Sequence, residues 1–245
     1  MAKRVAAIIC AAGSSSRFGG KRKKPFVDVG GRAAFLRSVE LFTDHPDIEQ
    51  TLLSVPQEDE ELIKIKWGDS LSFFGVKICY GGSTRTETVK KALSLIREDI
   101  DLVAVHDAAR CCITAELLDA VIRDAAQYGA AAPGYPVIST LKQVRDHKIV
   151  KTIDRDGLYE IQTPQIFTLS LIQKAYHDID PSDTSYTDDA QLVEALGHPV
   201  HVTESTSTNI KLTTPADVPI AEAILKYRQK DKPKGPLGPY NEAQW

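Results

Sequence analysis

A segment of small and cationic residues directly follows the first apolar run of the chain. The run Val5–Cys10 is short and partly β-branched, which is typical of a buried strand in a parallel sheet. The segment 11–24 then supplies glycine and serines, followed by Arg17 and a cationic stretch that ends at Lys24. Uncovered backbone N–H groups suit a phosphate chain, and cations can neutralise a phosphoryl group during its transfer. The segment therefore predicts a nucleoside triphosphate ligand and chemistry at phosphorus.

Two common phosphate-binding motifs do not fit this segment. The dinucleotide fingerprint G-x-G-x-x-G requires a second glycine where Ser15 stands. The P-loop fails as well, because five residues separate Gly13 from Gly19, and Arg22 stands where a hydroxyl should follow Lys21. A solvated basic loop is the alternative, and the strand before it together with the later motifs disfavours that alternative.

A paired-glycine turn lies between a predicted strand and a predicted helix. Gly81–Arg85 follows the apolar run Val76–Cys79, and Thr88 adds a hydroxyl one turn into the helix. Glycines allow a ligand to approach the backbone closely, so these backbone groups could read the edge of a base. The alternative is an ordinary strand-to-helix turn.

A carboxylate and several cations follow later strands. Asp107 could accept a hydrogen bond from a ribose hydroxyl, hold a metal, or merely cap the next helix. Arg110 offers a bidentate fork to a phosphate at the same end of the strand. Arg155 and Lys211 alone would be solvated charges, but with Arg110 and Thr140 they could form a second anion pocket.

The composition restricts the class of protein. The 245 residues are 42% hydrophobic and 26% charged, which suits a soluble globular protein with a net charge of −3. This balance disfavours nucleic-acid binding, and the local positive charge of segment 17–24 suits a small anionic ligand better. No membrane span or signal peptide is expected, and neither C-x-x-C nor H-E-x-x-H occurs, so we expect a reduced, cytoplasmic protein without metal-ligating residues.

Strands and helices alternate along the first half of the chain, which predicts βαβ units and a mostly parallel sheet covered by helices. Ligands of such sheets bind beyond the carboxyl ends of the strands, so the loops after Cys10, Cys79 and His106 are the candidates. The predicted strands are Val5–Cys10, Thr51–Val55, Val76–Cys79 and Leu102–His106, and the predicted helices are Ala33–Phe42, Thr86–Ile96 and Leu117–Ala126.

The second half contains a predicted β-hairpin within residues 136–156. Thr140–Val144 and Lys148–Ile153 alternate apolar and polar residues around a turn, so Thr140 and Arg155 should return to the same end. We expect one domain over 1–228 and a mobile tail over 229–245. The later predicted elements are helices Ser170–His177 and Asp188–Leu196, a short strand Asn209–Leu212, and a last helix capped by Thr214.

A series of motifs occurs in one order along the chain: Ala11-Ala12-Gly13 with Arg17 and Lys24, Gly81-Gly82 with Arg85, His106–Arg110, Asp154–Leu158, Gln162–Gln165 with Phe167, Thr187–Asp189, and Asn209–Lys211 with Thr213, Pro215 and Asp217. This series is specific as an ordered set, and over roughly residues 5–226 it resembles the 2-C-methyl-D-erythritol 4-phosphate cytidylyltransferase family of the non-mevalonate isoprenoid pathway. Cys111, Ser83, Thr88 and Tyr159 depart from residues usual in that family, and none of these departures removes a charge that the mechanism needs.

The resemblance implies a Rossmann-like nucleotidyltransferase fold with a protruding hairpin arm. It also implies transfer of CMP from CTP to methylerythritol phosphate, with Mg²⁺ bound mainly through the triphosphate, in a cytoplasmic homodimer whose arms cross between subunits. Arg17 and Lys24 would stabilise charge at the α-phosphate. CTP would be held by Ala11, Ala12, Gly13, Gly82, Ser83, Thr88 and Asp107, and the sugar phosphate by Arg110, Thr140, Arg155 and Lys211, with Thr140 and Arg155 serving the partner's site.

Three other functions compete with this hypothesis. A cytidylyltransferase for a polyol phosphate such as ribitol 5-phosphate would share nearly every motif, although the segment Asp154–Leu158 matches the methylerythritol enzymes better. A nucleotide-sugar glycosyltransferase would need D-x-D at the carboxyl end of a strand, whereas Asp99-x-Asp101 precedes its strand. A non-catalytic nucleotide-binding regulator would not need the full set of cations.

Overall fold

The computed structural model describes residues 3–13, 18, 24–177, 179 and 185–231. Arg17 and the tail 232–245 lie outside the described residues, so the predictions that concern them stay predictions. The strands are β1 Val5–Cys10, β2 Ile48–Val55, β3 Lys77–Tyr80, β4 Leu102–Asp107, β5 Ala130–Pro136, β6 Leu141–Arg145, β7 Lys148–Ile153, β8 Tyr159–Ile161, β9 Gln165–Thr168 and β10 His201–Glu204. The helices are α1 Ala34–Thr43, α2 Glu60–Phe73, α3 Arg85–Leu93, α4 Ala115–Tyr128, α5 Leu169–His177, α6 Asp189–Ala195 and α7 Asp217–Asp231.

A mixed, mostly parallel sheet forms the centre of the fold. Its strand order is β10-β5-β9-β4-β1-β2-β3, and β8 pairs with β5 as the eighth strand. Strands β1, β2, β3 and β4 run parallel, while β9 lies antiparallel between β4 and β5. The predicted α/β fold class is therefore confirmed.

Helices cover both faces of the sheet, as the packing of the first strand shows. Ile9 faces a core cluster that includes residues of α1, α2 and α4, whereas its neighbour Ile8 faces a cluster that includes residues of α3, α5 and α6. Side chains alternate between the two faces of a strand, so a strand covered on both faces must be apolar throughout. This two-sided burial explains the uninterrupted apolar run of β1.

The register of the central strands brings their carboxyl ends together. Cys10 at the end of β1 pairs with Ser54 on one side and Asp107 on the other. Val55 at the end of β2 pairs with Tyr80 at the end of β3. The loops after these four strands therefore begin at one edge of the sheet.

The predicted hairpin is confirmed as a separate two-stranded ribbon of β6 and β7, which we call the arm. Asp146 and His147 have φ values of 49° and 61°, the left-handed conformation that a two-residue hairpin turn needs. Leu141 pairs with Ile153, so Thr140 and Arg155 lie at the same end of the arm, as predicted.

Some predicted elements differ from the structure. The predicted strand Asn209–Leu212 is wrong, because this segment is irregular and is anchored by side chains and by a bond from Leu212 N–H to the Ala109 carbonyl. The last helix begins at Asp217 instead of directly after Thr214, because the Asp217 carboxylate accepts the Thr213 and Thr214 N–H groups. It continues to Asp231, beyond the predicted start of the tail.

Helix α2 and strands β5, β8 and β9 were not predicted. Helix α2 has a weak apolar pattern, since Ile65 is 76% exposed and Phe73 is 84% exposed. Strand β5 is built mainly of alanine, proline and glycine, which carry little strand signal. None of the helices among the described residues is long and apolar enough to span a bilayer.

Candidate functional site

A cavity of about 600 Å³ opens at the carboxyl ends of β1, β2, β3 and β4. The loops predicted to bind a ligand line it, namely those after Cys10, Cys79 and His106. The loop after β2 also lines it through Pro56, Gln57 and Glu58, and no motif in the sequence had indicated that loop.

Among its described residues, the loop after β1 supplies backbone and the ammonium group of Lys24 to the cavity. Ala12 and Gly13 line the wall, and Lys24 lines it from a short 3₁₀-helix, Lys24–Phe26. Ala11 lies behind the wall, fully buried, and its N–H donates to the Ser54 carbonyl at 2.9 Å. Ala12 and Gly13 are therefore better placed than Ala11 to contact a ligand.

The turn after β3 requires both of its glycines. A Cβ atom on Gly81 would overlap the Cβ of Ala12, and one on Gly82 would overlap the side chain of Glu87. The Gly82 N–H donates to the Thr88 hydroxyl at 2.9 Å, and that hydroxyl donates to the Thr84 carbonyl at 2.9 Å. Thr88 thus lines the cavity while it fixes the shape of the glycine turn.

A carboxylate at the start of α3 holds the other side of this turn. Glu87 accepts the Ser83 N–H at 2.6 Å and the Ser83 hydroxyl at 2.8 Å. The ammonium of Lys91 and these Ser83 donors lower the pKa of Glu87 to about 2. Ser83 therefore lies at the cavity wall with its own N–H and hydroxyl already engaged by the protein.

Three charged side chains meet on the floor of the cavity. The Asp107 carboxylate lies 3.3 Å from Nε of Arg85, and its other oxygen accepts a hydrogen bond from the Lys211 ammonium. Burial alone would raise the pKa of Asp107, but Arg85 and Lys211 outweigh it and hold that pKa well below its usual range. The cavity therefore contains an ionised carboxylate beside an ammonium group.

A second carboxylate lies beneath the cavity. Asp189 is fully buried, with one oxygen 2.7 Å from Nη2 of Arg85 and the other accepting the Tyr176 hydroxyl at 2.5 Å. Burial would lower the pKa of Arg85, yet Asp189 and Asp107 raise it well above its usual value. Burial raises the pKa of the Cys10 thiol beside this group to about 12, which favours the protonated thiol at neutral pH.

No functional role had been assigned to Arg85 or Asp189 from the sequence. Both lie in quoted motifs, Gly81-Gly82 with Arg85 and Thr187–Asp189, so the signal was present. The separation of 104 residues between them concealed their ion pair.

The three cations and the one threonine expected to position a second anion are not gathered in one place. Lys211 lines the cavity, whereas Arg110 lies behind it, where Nη1 donates to the Asn209 carbonyl at 2.8 Å. Burial lowers the pKa of Arg110. Thr140 and Arg155 lie at the base of the arm, where Arg155 donates to the Ile138 carbonyl, and neither lines the cavity of its own chain.

This geometry suits a ligand with phosphate groups and sugar hydroxyls. Backbone loops and Lys24 line one part of the cavity, which fits a phosphate chain, and the ionised Asp107 can accept hydroxyl protons. The described part of the chain contains no group of three or more His, Cys, Asp or Glu side chains that could hold a metal ion.

Comparison with known proteins agrees with this chemistry. The family model described as "IspD: 2-C-methyl-D-erythritol 4-phosphate cytidylyltransferase" matches residues 5–227. Proteins of that name from Caldicellulosiruptor bescii and Endomicrobium trichonymphae are 38% and 39% identical, covering 90% of this chain and 96% and 98% of theirs.

Solved structures give the same result. The 4-diphosphocytidyl-2C-methyl-D-erythritol synthase of Anaerococcus prevotii has a TM-score of 0.78 at 31% identity, covering 92% of this chain and 97% of that one. The 2-C-methyl-D-erythritol 4-phosphate cytidylyltransferase of Thermus thermophilus has a TM-score of 0.75 at 30% identity, covering 89% of this chain and 98% of that one.

Proposed function

Because this chain belongs to the 2-C-methyl-D-erythritol 4-phosphate cytidylyltransferase family and transfers CMP from CTP to methylerythritol phosphate, we propose how its residues divide that work. The reaction yields CDP-methylerythritol and pyrophosphate for isoprenoid synthesis. The observation that carries our assignment is the contact of Lys211 with Asp107 at the floor of the cavity. At this point Lys211, which would bind the phosphate of methylerythritol phosphate, lies beside Asp107, which would bind the ribose of CTP.

Positioning and fixed positive charge accomplish the chemistry. The attacking group is a phosphate oxygen of methylerythritol phosphate, which is an anion at neutral pH and needs no general base. The barrier comes from repulsion between anions and from charge that grows at the α-phosphorus. Lys24 at the cavity wall, and Arg17, would stabilise that charge. The oxygen attacks the α-phosphorus, and the bond to the bridging oxygen breaks to release pyrophosphate.

CTP binds, in this proposal, along the loops after β1, β3 and β4. Ala12 and Gly13 would approach the triphosphate, with Ala11 supporting them from behind. The turn of Gly82 and Ser83, shaped by Thr88, would contact cytosine through its backbone, and Asp107 would hold the ribose. Base selection then depends on the backbone carbonyl groups of this turn, because the N–H groups of Gly82 and Ser83 already donate to Thr88 and Glu87.

The sugar phosphate would be held by residues from two subunits of a homodimer. Lys211 and Arg110 belong to the chain that binds CTP, and Thr140 and Arg155 would come from the arm of the other chain. The exposed arm supports this proposal, because Val144 is 55% exposed and Ile149 is 67% exposed. A two-stranded ribbon is only marginally stable alone and is expected to pack against another surface.

Mg²⁺ is the proposed cofactor and would enter with the triphosphate. This ion retains several waters and commonly binds substrate phosphates with few protein ligands, so it does not require a protein cage. Lys24 and the backbone of Gly13 would bind the phosphate groups of the triphosphate, and the triphosphate would hold the ion. When bound, the ion neutralises part of the charge of the triphosphate.

We also propose that residues 1–228 act as one cytoplasmic catalytic domain. The burial of Cys79, Cys111 and Cys112, where a cysteine serves as a small apolar side chain, supports a reducing compartment. A single eight-stranded sheet that includes both the first strand, β1, and the last strand, β10, supports one domain.

The assay for this function measures pyrophosphate release. The protein is mixed with CTP, Mg²⁺ and either methylerythritol phosphate, ribitol 5-phosphate or no acceptor. We expect rapid release with methylerythritol phosphate alone. Faster release with ribitol 5-phosphate would overturn the choice of acceptor, and no release with either would overturn the activity.

Shared sites are tested by mixing inactive variants. When Arg155→Ala and Lys24→Ala chains exchange subunits, one site of each mixed dimer carries both lesions and the other carries none, so activity should reappear. The matched control mixes Lys211→Ala with Lys24→Ala, where both lesions act within their own chain and no activity should return. Absence of recovery in the first mixture, once subunit exchange is verified, would exclude the crossed arm.

A further inference from the structure

A buried polar connection joins the nucleotide side of the cavity to the sugar-phosphate side. Its centre is the short segment Gln162–Thr163 between β8 and β9, together with Asn209. Gln162, Thr163 and Asn209 are 4%, 5% and 2% exposed. Buried polar side chains must find hydrogen-bond partners, and the partners found here lead to residues of the active site.

Thr163 leads to the nucleotide side through its hydroxyl. Its Oγ1 accepts the backbone N–H of Asp107 at 3.0 Å and lies 3.2 Å from Nδ1 of His106. Burial lowers the pKa of His106 to about 3, so the ring is neutral and can accept the Thr163 proton. The other ring nitrogen of His106 lies 3.3 Å from the Ser38 hydroxyl, which fixes the ring. The backbone at Asp107 is thereby tied to a rigid buried chain.

Asn209 leads to the sugar-phosphate side. Its Nδ2 donates to the Gln162 side chain at 3.0 Å and to the Thr163 carbonyl at 3.1 Å, which uses both amide hydrogens. The backbone carbonyl of Asn209 accepts Nη1 of Arg110 at 2.8 Å, whereas its side-chain Oδ1 has no hydrogen-bond partner within the described ranges. Nε of Arg110 is buried without a hydrogen-bond partner among the described residues, so the bond to Asn209 is important for the direction of the guanidinium.

The same anchor controls the approach of Lys211. Lys211 follows Asn209 by two residues in an irregular segment, so no strand pairing fixes its backbone. Gln162 strengthens the anchor, since its Nε2 donates to the Thr206 carbonyl at 2.9 Å and its Oε1 accepts the Ser205 hydroxyl at 2.8 Å. These side-chain bonds, together with the bond from Leu212 N–H to the Ala109 carbonyl, hold the segment in place of strand pairing.

We propose that Thr163 and Asn209 are positioning residues that act on opposite halves of the active site. Thr163 sets Asp107 for the ribose of CTP, and Asn209 sets Arg110 and Lys211 for the sugar phosphate. The inference rests on the proposed function, because it takes the roles of Asp107, Arg110 and Lys211 from there. Their common support places the two substrates at a fixed separation, which in-line attack at phosphorus requires.

The proposal predicts opposite effects on the two substrates. Asn209→Asp keeps the shape of the side chain but turns an acceptor towards the Gln162 and Thr163 oxygens. We expect its KM for methylerythritol phosphate to rise about tenfold or more, because Arg110 and Lys211 lose their fixed direction. The Kd for CTP, measured by calorimetry, should stay within about threefold of wild type. Asn209→Ala should show the same pattern if Asn209→Asp does not fold.

Thr163→Val should show the reverse pattern. It removes the hydroxyl but keeps the carbonyl that holds Asn209, so the Kd for CTP should rise by roughly threefold to tenfold, with little change in KM for the sugar phosphate. Thr163→Ser keeps the hydroxyl and should restore CTP binding. Ser207→Ala, at an exposed residue of the same loop as Asn209, is the control and should match wild type.

Two results would overturn the proposal. One is an unchanged KM for methylerythritol phosphate in folded Asn209 variants while Lys211→Ala raises it. The other is an equal loss of affinity for both substrates in each variant, which would indicate that the whole site has loosened and that the two residues do not position separate halves. The wild-type protein is assayed for pyrophosphate release alongside the variants. An inactive wild type would refute the proposed function, whereas an active wild type with either of the two results above would refute the positioning roles alone.

Discussion

The substitution Arg85→Met is expected to destabilise the protein strongly, because it removes the cation between two carboxylates. Arg85 lies 2.7 Å from fully buried Asp189 and 3.3 Å from Asp107. Removal of one partner from a buried ion pair typically costs about 3–5 kcal/mol. The lower end applies here, because 28% of the Arg85 side chain is exposed and the Tyr176 hydroxyl still donates to Asp189. A loss of about 3 kcal/mol should lower Tm by about 6–12 °C in a protein of this size.

The measurement is thermal unfolding at neutral pH, with Arg97→Met as the matched control. Arg97 also pairs with two carboxylates, Glu49 and Asp99, but at the surface, so the same substitution should change Tm little. Adding Asp189→Asn to Arg85→Met should recover part of the lost stability, because it removes the unpaired charge. If Arg85→Met and Arg97→Met have the same Tm, or if the double variant has a lower Tm than Arg85→Met alone, the buried charge pair does not stabilise the fold as argued.

The other predictions concern catalysis, selectivity and pH. Arg17→Ala and Lys24→Ala should each reduce turnover by about 10²–10³ with Tm unchanged, as loss of one transition-state contact does; wild-type turnover in either variant would contradict their assignment. Competition assays should favour CTP over UTP and ATP, and equal turnover of CTP and ATP would refute base selection at the Gly81–Gly82 turn. The lowered pKa of Asp107 means that its ion pairs stabilise the folded state above the unfolded pKa of about 3.9, and that this contribution is lost as pH falls through the folded pKa. The Tm difference between wild type and Asp107→Asn should therefore be constant from about pH 8 to 5 and shrink below about pH 4, and a difference that shrinks above pH 5 would contradict this sign.

Local patterns were sufficient to predict the elements whose burial is regular. Strand β1 was predicted with its observed bounds, because both of its faces are apolar. The hairpin was predicted because alternation and a turn are both visible in the sequence. The segment Asn209–Leu212 also alternates, yet it forms no strand, since its backbone bonds outside any sheet: the Asn209 carbonyl accepts Arg110, and Leu212 N–H donates to the Ala109 carbonyl. Periodicity cannot distinguish these two cases.

The cavity loops could be predicted because parallel strands end at one edge, but the pairing of charges could not. Asp107 and Lys211 are 104 residues apart, and only the folded chain brings their side chains into contact. The same holds for Arg110, whose placement depends on Asn209. Motifs identify residue types that bind phosphate, whereas the positions of those residues depend on buried polar contacts that leave no periodic pattern.

The balance of charge around the cavity explains why an anion-binding site needs its carboxylates. Lys211 and Arg85 would repel each other if they stood alone in a partly desolvated cavity. Asp107 lies between them and Asp189 lies beneath Arg85, so these two carboxylates compensate the positive charge of both cations. A bound triphosphate adds several negative charges, which Lys24, Arg17 and the proposed Mg²⁺ must then neutralise. These carboxylates therefore also lower the positive potential that Arg85 and Lys211 present to a bound phosphate, because their negative charge lies close to both cations.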